Sequence, residues 1–170
     1  MKIFFFIVFI GLLFVMRYQG SVLSTSGSGI ISLELADEGE GISIMNKWAI
    51  TKYGDQSLLQ VAHTNTKWDF AFILSYVALM VALSNWQMQR EKWLPLNEML
   101  RFNLFVMVVA GMLDVVENFR LLHNFHHSNG IGNYWGTSWL ATIKFGLVGL
   151  SVLVFVSSWA KSLFKQKAIQ

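Results

Sequence analysis

Four apolar runs, at residues 3–16, 70–86, 102–122 and 139–160, set the terms on which this chain can fold. A helix needs about 20 apolar residues to cross the hydrocarbon core of a bilayer, and the last two runs reach that length unaided. The second, which ends at Trp86, reaches it once Trp68 and Asp69 at its start are included. The first, Ile3 to Met16, is short, and with Lys2 before it and a Ser/Gly-rich stretch after it the run also fits a cleaved secretory signal. Arg17 directly after the apolar core, with no A-x-A-like site soon beyond it, favours a retained helix. With 54% hydrophobic against 14% charged residues, the chain is too apolar for a soluble domain of its size, which must cover a large surface with polar side chains. Intrinsic disorder and a soluble nucleic-acid binder are thereby excluded. The absence of Cys removes disulfides, thiolate nucleophiles, iron–sulfur clusters and Cys-ligated zinc.

Basic residues give the orientation. Arg90, Lys92 and Arg101 lie between the second and third runs, and Lys161, Lys165 and Lys167 follow the fourth. Such residues collect on the cytoplasmic side, so both termini are expected there, in a multi-pass protein of the cell membrane. The stretches Arg17–Lys67 and His123–Ser138 then face outward. Trp68, Trp86, Trp93, Trp135, Trp139 and Trp159 sit at run ends, as an interfacial aromatic belt requires. The expected fold is all-α: a single membrane domain over residues 1–170, a four-helix transmembrane bundle. Its helices fall at about 3–22, 68–89, 102–122 and 138–160, with a small extracytoplasmic cap over about 23–67 between the first two.

Within the cap, Gly20–Gly29 reads as a flexible linker. Ile30–Leu35 alternates like a short strand, broken by the acidic turn Asp37–Gly41. Ile44, Met45, Trp48 and Ala49, then Leu58, Leu59, Val61 and Ala62, have helical spacing. They suit either two amphipathic helices on the outer interface or a cap packed on the bundle.

Ionisable residues inside a membrane are costly and usually mark a site. The third run contains Asp114, Glu117 and Asn118, whose spacings of three and four put them on one helical face. Asn103, Met107, Ala110 and Gly111 continue that face inward, and its small residues allow a close helix neighbour. At 1.5 Å per residue, Lys144 lies roughly 7.5 Å below the outer interface, Glu117 roughly 7.5 Å and Asp114 roughly 12 Å. Asp69 opens the second helix at the same side, with Phe72 and Tyr76 on its face. Asp114, Glu117 and Lys144 are the candidate catalytic residues, and Asp69, Tyr76 and Asn118 the candidate ligand-binding ones. A purely structural account has the two acids neutralising Lys144 and Arg120, and Asp69 capping its helix.

His123, His126 and His127 form an H-x-x-H-H run that resembles one histidine box of membrane desaturases and hydroxylases, in which several boxes bind two irons. Here only His63 lies outside the run, so no complete ligand shell is expected, and neither a metal nor a cofactor is assigned.

The order Ile31–Leu35, Trp48, Asp69–Ile73 with Tyr76, Asp114–Asn118, and Trp139 with Lys144 resembles a loosely defined group of small bacterial four-helix membrane proteins of unknown activity. The resemblance implies that Asp69, Asp114, Glu117, Asn118 and Lys144 belong together; it supplies no substrate. The expected function is binding or processing of a lipid or small amphiphile in the outer half of the bundle. Its alternatives are an accessory or assembly subunit of a membrane complex, a metal-dependent hydroxylase-like enzyme using the histidines, and a proton-coupled transporter. Expected partners are the bilayer, a lipid or amphiphile ligand, and a membrane protein or a second copy, with no nucleic acid.

Overall fold

The structure, a computed structural model, describes residues 2–91, 93–126 and 135–167. Its elements are α1 (Lys2–Ser24), α2 (Ile30–Leu35), α3 (Glu38–Ile50), the two-residue strands β1 (Lys52–Tyr53) and β2 (Gln56–Ser57), α4 (Leu58–Arg90), α5 (Leu94–His126) and α6 (Ser138–Lys167). The all-α expectation holds, apart from the small antiparallel pairing of Lys52 with Ser57 and Tyr53 with Gln56. Helices α1, α4, α5 and α6 are each long and apolar enough to cross a membrane.

The long helices overrun the apolar runs because local capping extends them. Ser57 accepts the Gln60 backbone N–H on its hydroxyl while the Gln60 side chain accepts the Ser57 N–H, so α4 starts at Leu58. The amphipathic stretch 58–62 is therefore the first turn of α4 and not a separate interfacial helix. Pro95 stands in the first turn of α5, where a missing N–H costs no helical bond.

Each long helix packs along the next, α1 on α4, α4 on α5 and α5 on α6, with α4 also touching α6. Helix α1 is peripheral: nothing in its most apolar window is buried, whereas 39% of the corresponding window of α5 is. The α4–α5 contact is close. A Cβ at Gly111 would come within 2.7 Å of Val77 Cγ2, so only glycine fits there without displacing the Val77 side chain of α4. Nearer the other end, the Asn103 amide donates to Ser84 Oγ at 3.3 Å and to the Ser151 carbonyl at 3.2 Å, and Gln87 donates to the Ser158 carbonyl at 3.4 Å. These bonds join α4, α5 and α6 through polar groups buried between the helices.

The connection from α1 to α4 differs from its sequence reading. Gly20–Gly29 is no linker: α1 runs on to Ser24, and the hydroxyls of Ser21, Ser24, Thr25 and Ser26 bond back to carbonyls of the preceding turn. Gly27, at φ +91°, then turns the chain. Ile30–Leu35 is a helix, not a strand. A lone strand would leave its ladder groups unpaired, whereas the helix satisfies them internally and buries Leu33. Asp37 caps α3 by accepting the Glu40 N–H at 2.8 Å, with Glu38 and Glu40 in the first turn. Trp48, fully buried, donates its indole N–H to Ser26 Oγ at 2.9 Å. Around it Leu23, Leu33, Met45, Leu58, Ala62, Leu121 and Phe125 form one core, so this segment is packed onto the ends of α1, α4 and α5.

Candidate functional site

The 3–4 spacing on α5 does what the sequence pattern requires: Asp114, Glu117 and Asn118 are all buried toward neighbouring helices. From α6, Lys144 reaches them. Its ammonium lies 2.7 Å from Asp114 Oδ1 and 2.6 Å from Glu117 Oε2. The matched depths counted along α5 and α6 thus correspond to a direct contact.

A third acid completes the shell. Glu34 Oε2, from α2, lies 3.2 Å from Lys144 Nζ, and the Thr137 hydroxyl donates to the Glu34 carbonyl at 3.0 Å. The ammonium donates to Glu34 and Asp114 and pairs with Glu117 by charge, so three carboxylates surround it. Sequence reading missed Glu34 as a site residue because a strand over Ile30–Leu35 sends alternate side chains outward. The available signal was that Glu34 is the single charge in an otherwise uncharged hexapeptide. Burial pushes the Glu34 carboxyl above the ordinary value of 4.5, with nearby Lys144 opposing that shift and Asp114 reinforcing it.

The α4 side adds neutral and acidic groups. Tyr76 donates its hydroxyl to Asp114 Oδ2 at 2.8 Å, and the Asn118 amide donates to Asp69 Oδ2 at 2.8 Å. Asp69 is therefore tied across to α5 from about three turns into α4, and it cannot cap a helix that begins at Leu58. Phe72 and Tyr76 follow one and two turns later on the same face, their rings 5.7 Å apart and edge-on. The six residues singled out from sequence meet in one layer, with Glu34 added.

Charge does not balance in that layer. Glu34, Asp69, Asp114 and Glu117 face the single ammonium of Lys144. The second cation expected there, Arg120, is elsewhere: it donates to the Gly136 carbonyl at 2.9 Å and lies over the Trp139 ring at 5.5 Å. Glu117 is 0% exposed; its Oε2 is held by the Lys144 ion pair without a hydrogen bond, and its Oε1 has no partner at all among the described residues. A buried acceptor without a partner is costly, so this oxygen is where a proton, water or ligand donor belongs.

The histidines divide. His123 stacks on Trp135 with ring centroids 4.1 Å apart, while His126 meets His63 edge-on at 5.3 Å beside a recess of about 350 Å³ lined also by Gln56, Gln60 and Thr64. His127, like Lys92, lies outside the described residues. Among the described residues no three His, Asp or Glu side chains form a group that could hold a metal ion, so the hydroxylase-like alternative gains no ligand set from them.

No family model matches the chain, and neither a curated protein nor a solved structure matches it significantly.

Proposed function

We propose that the protein is a multi-pass membrane protein that holds the polar head of a lipid or small amphiphile at the carboxyl-rich layer in the outer half of its helix bundle. The observation that carries this reading is the excess of buried carboxyls over cations, together with the unpartnered Glu117 Oε1. A knot built only for stability would balance its charge, because unpaired buried charge is strongly destabilising. Asp114 or Glu117 would exchange a proton with the bound molecule and Lys144 would hold the resulting charge. Asp69, Tyr76 and Asn118 would contact the head group. Both termini are assigned to the cytoplasm and the 25–57 segment to the outside. Supporting this, Lys2 and Arg90 lie over the Trp86 ring at 4.0 and 4.1 Å and Lys161 lies over Trp93 at 3.5 Å, a basic and aromatic rim at the end remote from the carboxyls.

Proton-coupled transport has one observation in its favour: Asn103 Oδ1, Ser151 Oγ and Ser158 Oγ are buried in the inner half with no hydrogen-bond partner among the described residues. Leu79, Met107 and Ala110 fill the helix interfaces between that layer and the carboxyls, which breaks the path such transport needs.

The test is a neutralised site. Combining Glu34→Gln, Asp114→Asn, Glu117→Gln and Lys144→Met removes every charge of the Lys144 shell at nearly constant volume; omitting Glu34 would strand its carboxyl. The variant is expected to insert, to melt within a few degrees of the parent, and to lose a lipid or amphiphile that co-purifies with the parent in native mass spectrometry. A parent that carries no bound molecule, beside a variant that keeps stability and protein partners, would replace this reading with the accessory-subunit one.

A further inference from the structure

Resting on the lipid or amphiphile reading above, we infer that the head group taken by this site carries a primary ammonium. The charged donor of the layer is committed: Lys144 donates to Glu34 and Asp114 and is ion-paired with Glu117 Oε2 at 2.6 Å. Tyr76 has given its hydroxyl to Asp114, and Arg120 is held by Gly136. An anionic head group, such as a bare phosphate, would find four carboxyls and, among the described residues, no free cation. Open capacity is almost wholly of the accepting kind. Glu117 Oε1 is buried without a partner, and Asp69, with about four acceptor sites on its carboxylate, receives the Asn118 amide on one oxygen.

A second observation concerns shape and not charge. Asp69, Phe72 and Tyr76 share one face of α4, and the Phe9 ring of α1 stacks on Phe72 at 5.4 Å. A carboxylate beside aromatic faces recognises an ammonium by ion pairing and by attraction to the ring quadrupole. Asp69 and Tyr76 are also only half-buried, whereas Glu117 and Lys144 are enclosed. The ammonium therefore docks at Asp69, against the aromatic pair, and the enclosed acids behind it supply the field.

The same chemistry can come from an amine-headed phospholipid or from a free long-chain amine, and the experiment separates them. Purified full-length protein is equilibrated with vesicles containing equal phosphatidylethanolamine, phosphatidylcholine and phosphatidylglycerol, and retained lipids are counted by native mass spectrometry. Phosphatidylethanolamine is expected to exceed phosphatidylglycerol by about tenfold, and Asp69→Asn to lower its retention by about tenfold. Because Asp69→Asn perturbs a hydrogen-bonded pair, Phe72→Leu serves as the second variant: it leaves charge and hydrogen bonds alone and is expected to lower retention about threefold. Displacement of the lipid by dodecylamine assigns recognition to the ammonium alone; retention against it assigns recognition to the phospholipid head that bears it. Preference for phosphatidylglycerol, retention of phosphatidylcholine equal to that of phosphatidylethanolamine, or both variants binding like the parent overturns the primary-ammonium assignment while leaving a lipid site in place. Retention of no lipid at all overturns the lipid reading itself.

Discussion

Lys144 is the residue on which the others depend, because removing it leaves Glu34, Asp114 and Glu117 facing one another in a buried space. Lys144→Met is expected to cost about 3–5 kcal/mol, the range seen when one partner of a buried ion pair is deleted. Adding Asp114→Asn should recover part of that loss and adding Glu117→Gln more. Strict additivity in detergent melting, within about 0.5 kcal/mol, would show that these side chains are not coupled. Glu34 makes a pH prediction. Its folded-state pKa is raised above 4.5, so the folded protein binds this proton more tightly than the unfolded chain does. Its contribution to stability is then most favourable below that ordinary value and is lost as pH rises through the raised one. Glu34→Gln should accordingly gain on the parent as pH increases above about 4.5. An unchanged gap between their melting temperatures across pH 5 to 8 would count against a burial-dominated carboxyl. Asp114, Glu117 and Asn118 were legible because helical spacing alone assembles them. Glu34 was not, since its role follows from a chain reversal at Gly27 that no local pattern announces.

Among the elements, α5 carries the tightest constraint. A methyl group at position 111 would press on Val77, a β-branched side chain with little rotamer freedom. Gly111→Ala is expected to lower stability by about 1–3 kcal/mol, as overpacking does, and Val77→Ala in the same chain to restore most of it. Failure of that rescue in thermal melts would mean that the cost arises away from the α4–α5 contact. The existence of the four long helices was readable because apolar length is a strong signal. Their ends were not, since they depend on specific caps. The Ser57/Gln60 pair carried α4 twelve residues beyond its apolar run, and serine back-bonding did the same more modestly for α1. The strand reading of Ile30–Leu35 failed for a related reason. Six residues with mixed polarity fit either period, and the burial of Leu33 beside Trp48 decides for the helix.

At the scale of the whole molecule, the proposed orientation is checked by cysteine labelling, which the Cys-free chain allows without background. Glu38→Cys, exposed on α3, should react with a membrane-impermeant maleimide in intact cells, and Arg90→Cys only after permeabilisation. The opposite pattern would invert the depth assignment of the carboxyl layer. The distribution of acids and base along the chain also bears on how the protein is made. Glu34, Asp114 and Glu117 all leave the ribosome before Lys144, their common partner. At about 5–20 residues per second, the 27 positions between Glu117 and Lys144 take roughly 1–5 s. During that interval α5 carries two acids that lipid accepts poorly. Helix α5 should therefore linger at the insertion machinery until α6 arrives, and a chain truncated before residue 144 should be recognised and degraded as an orphan.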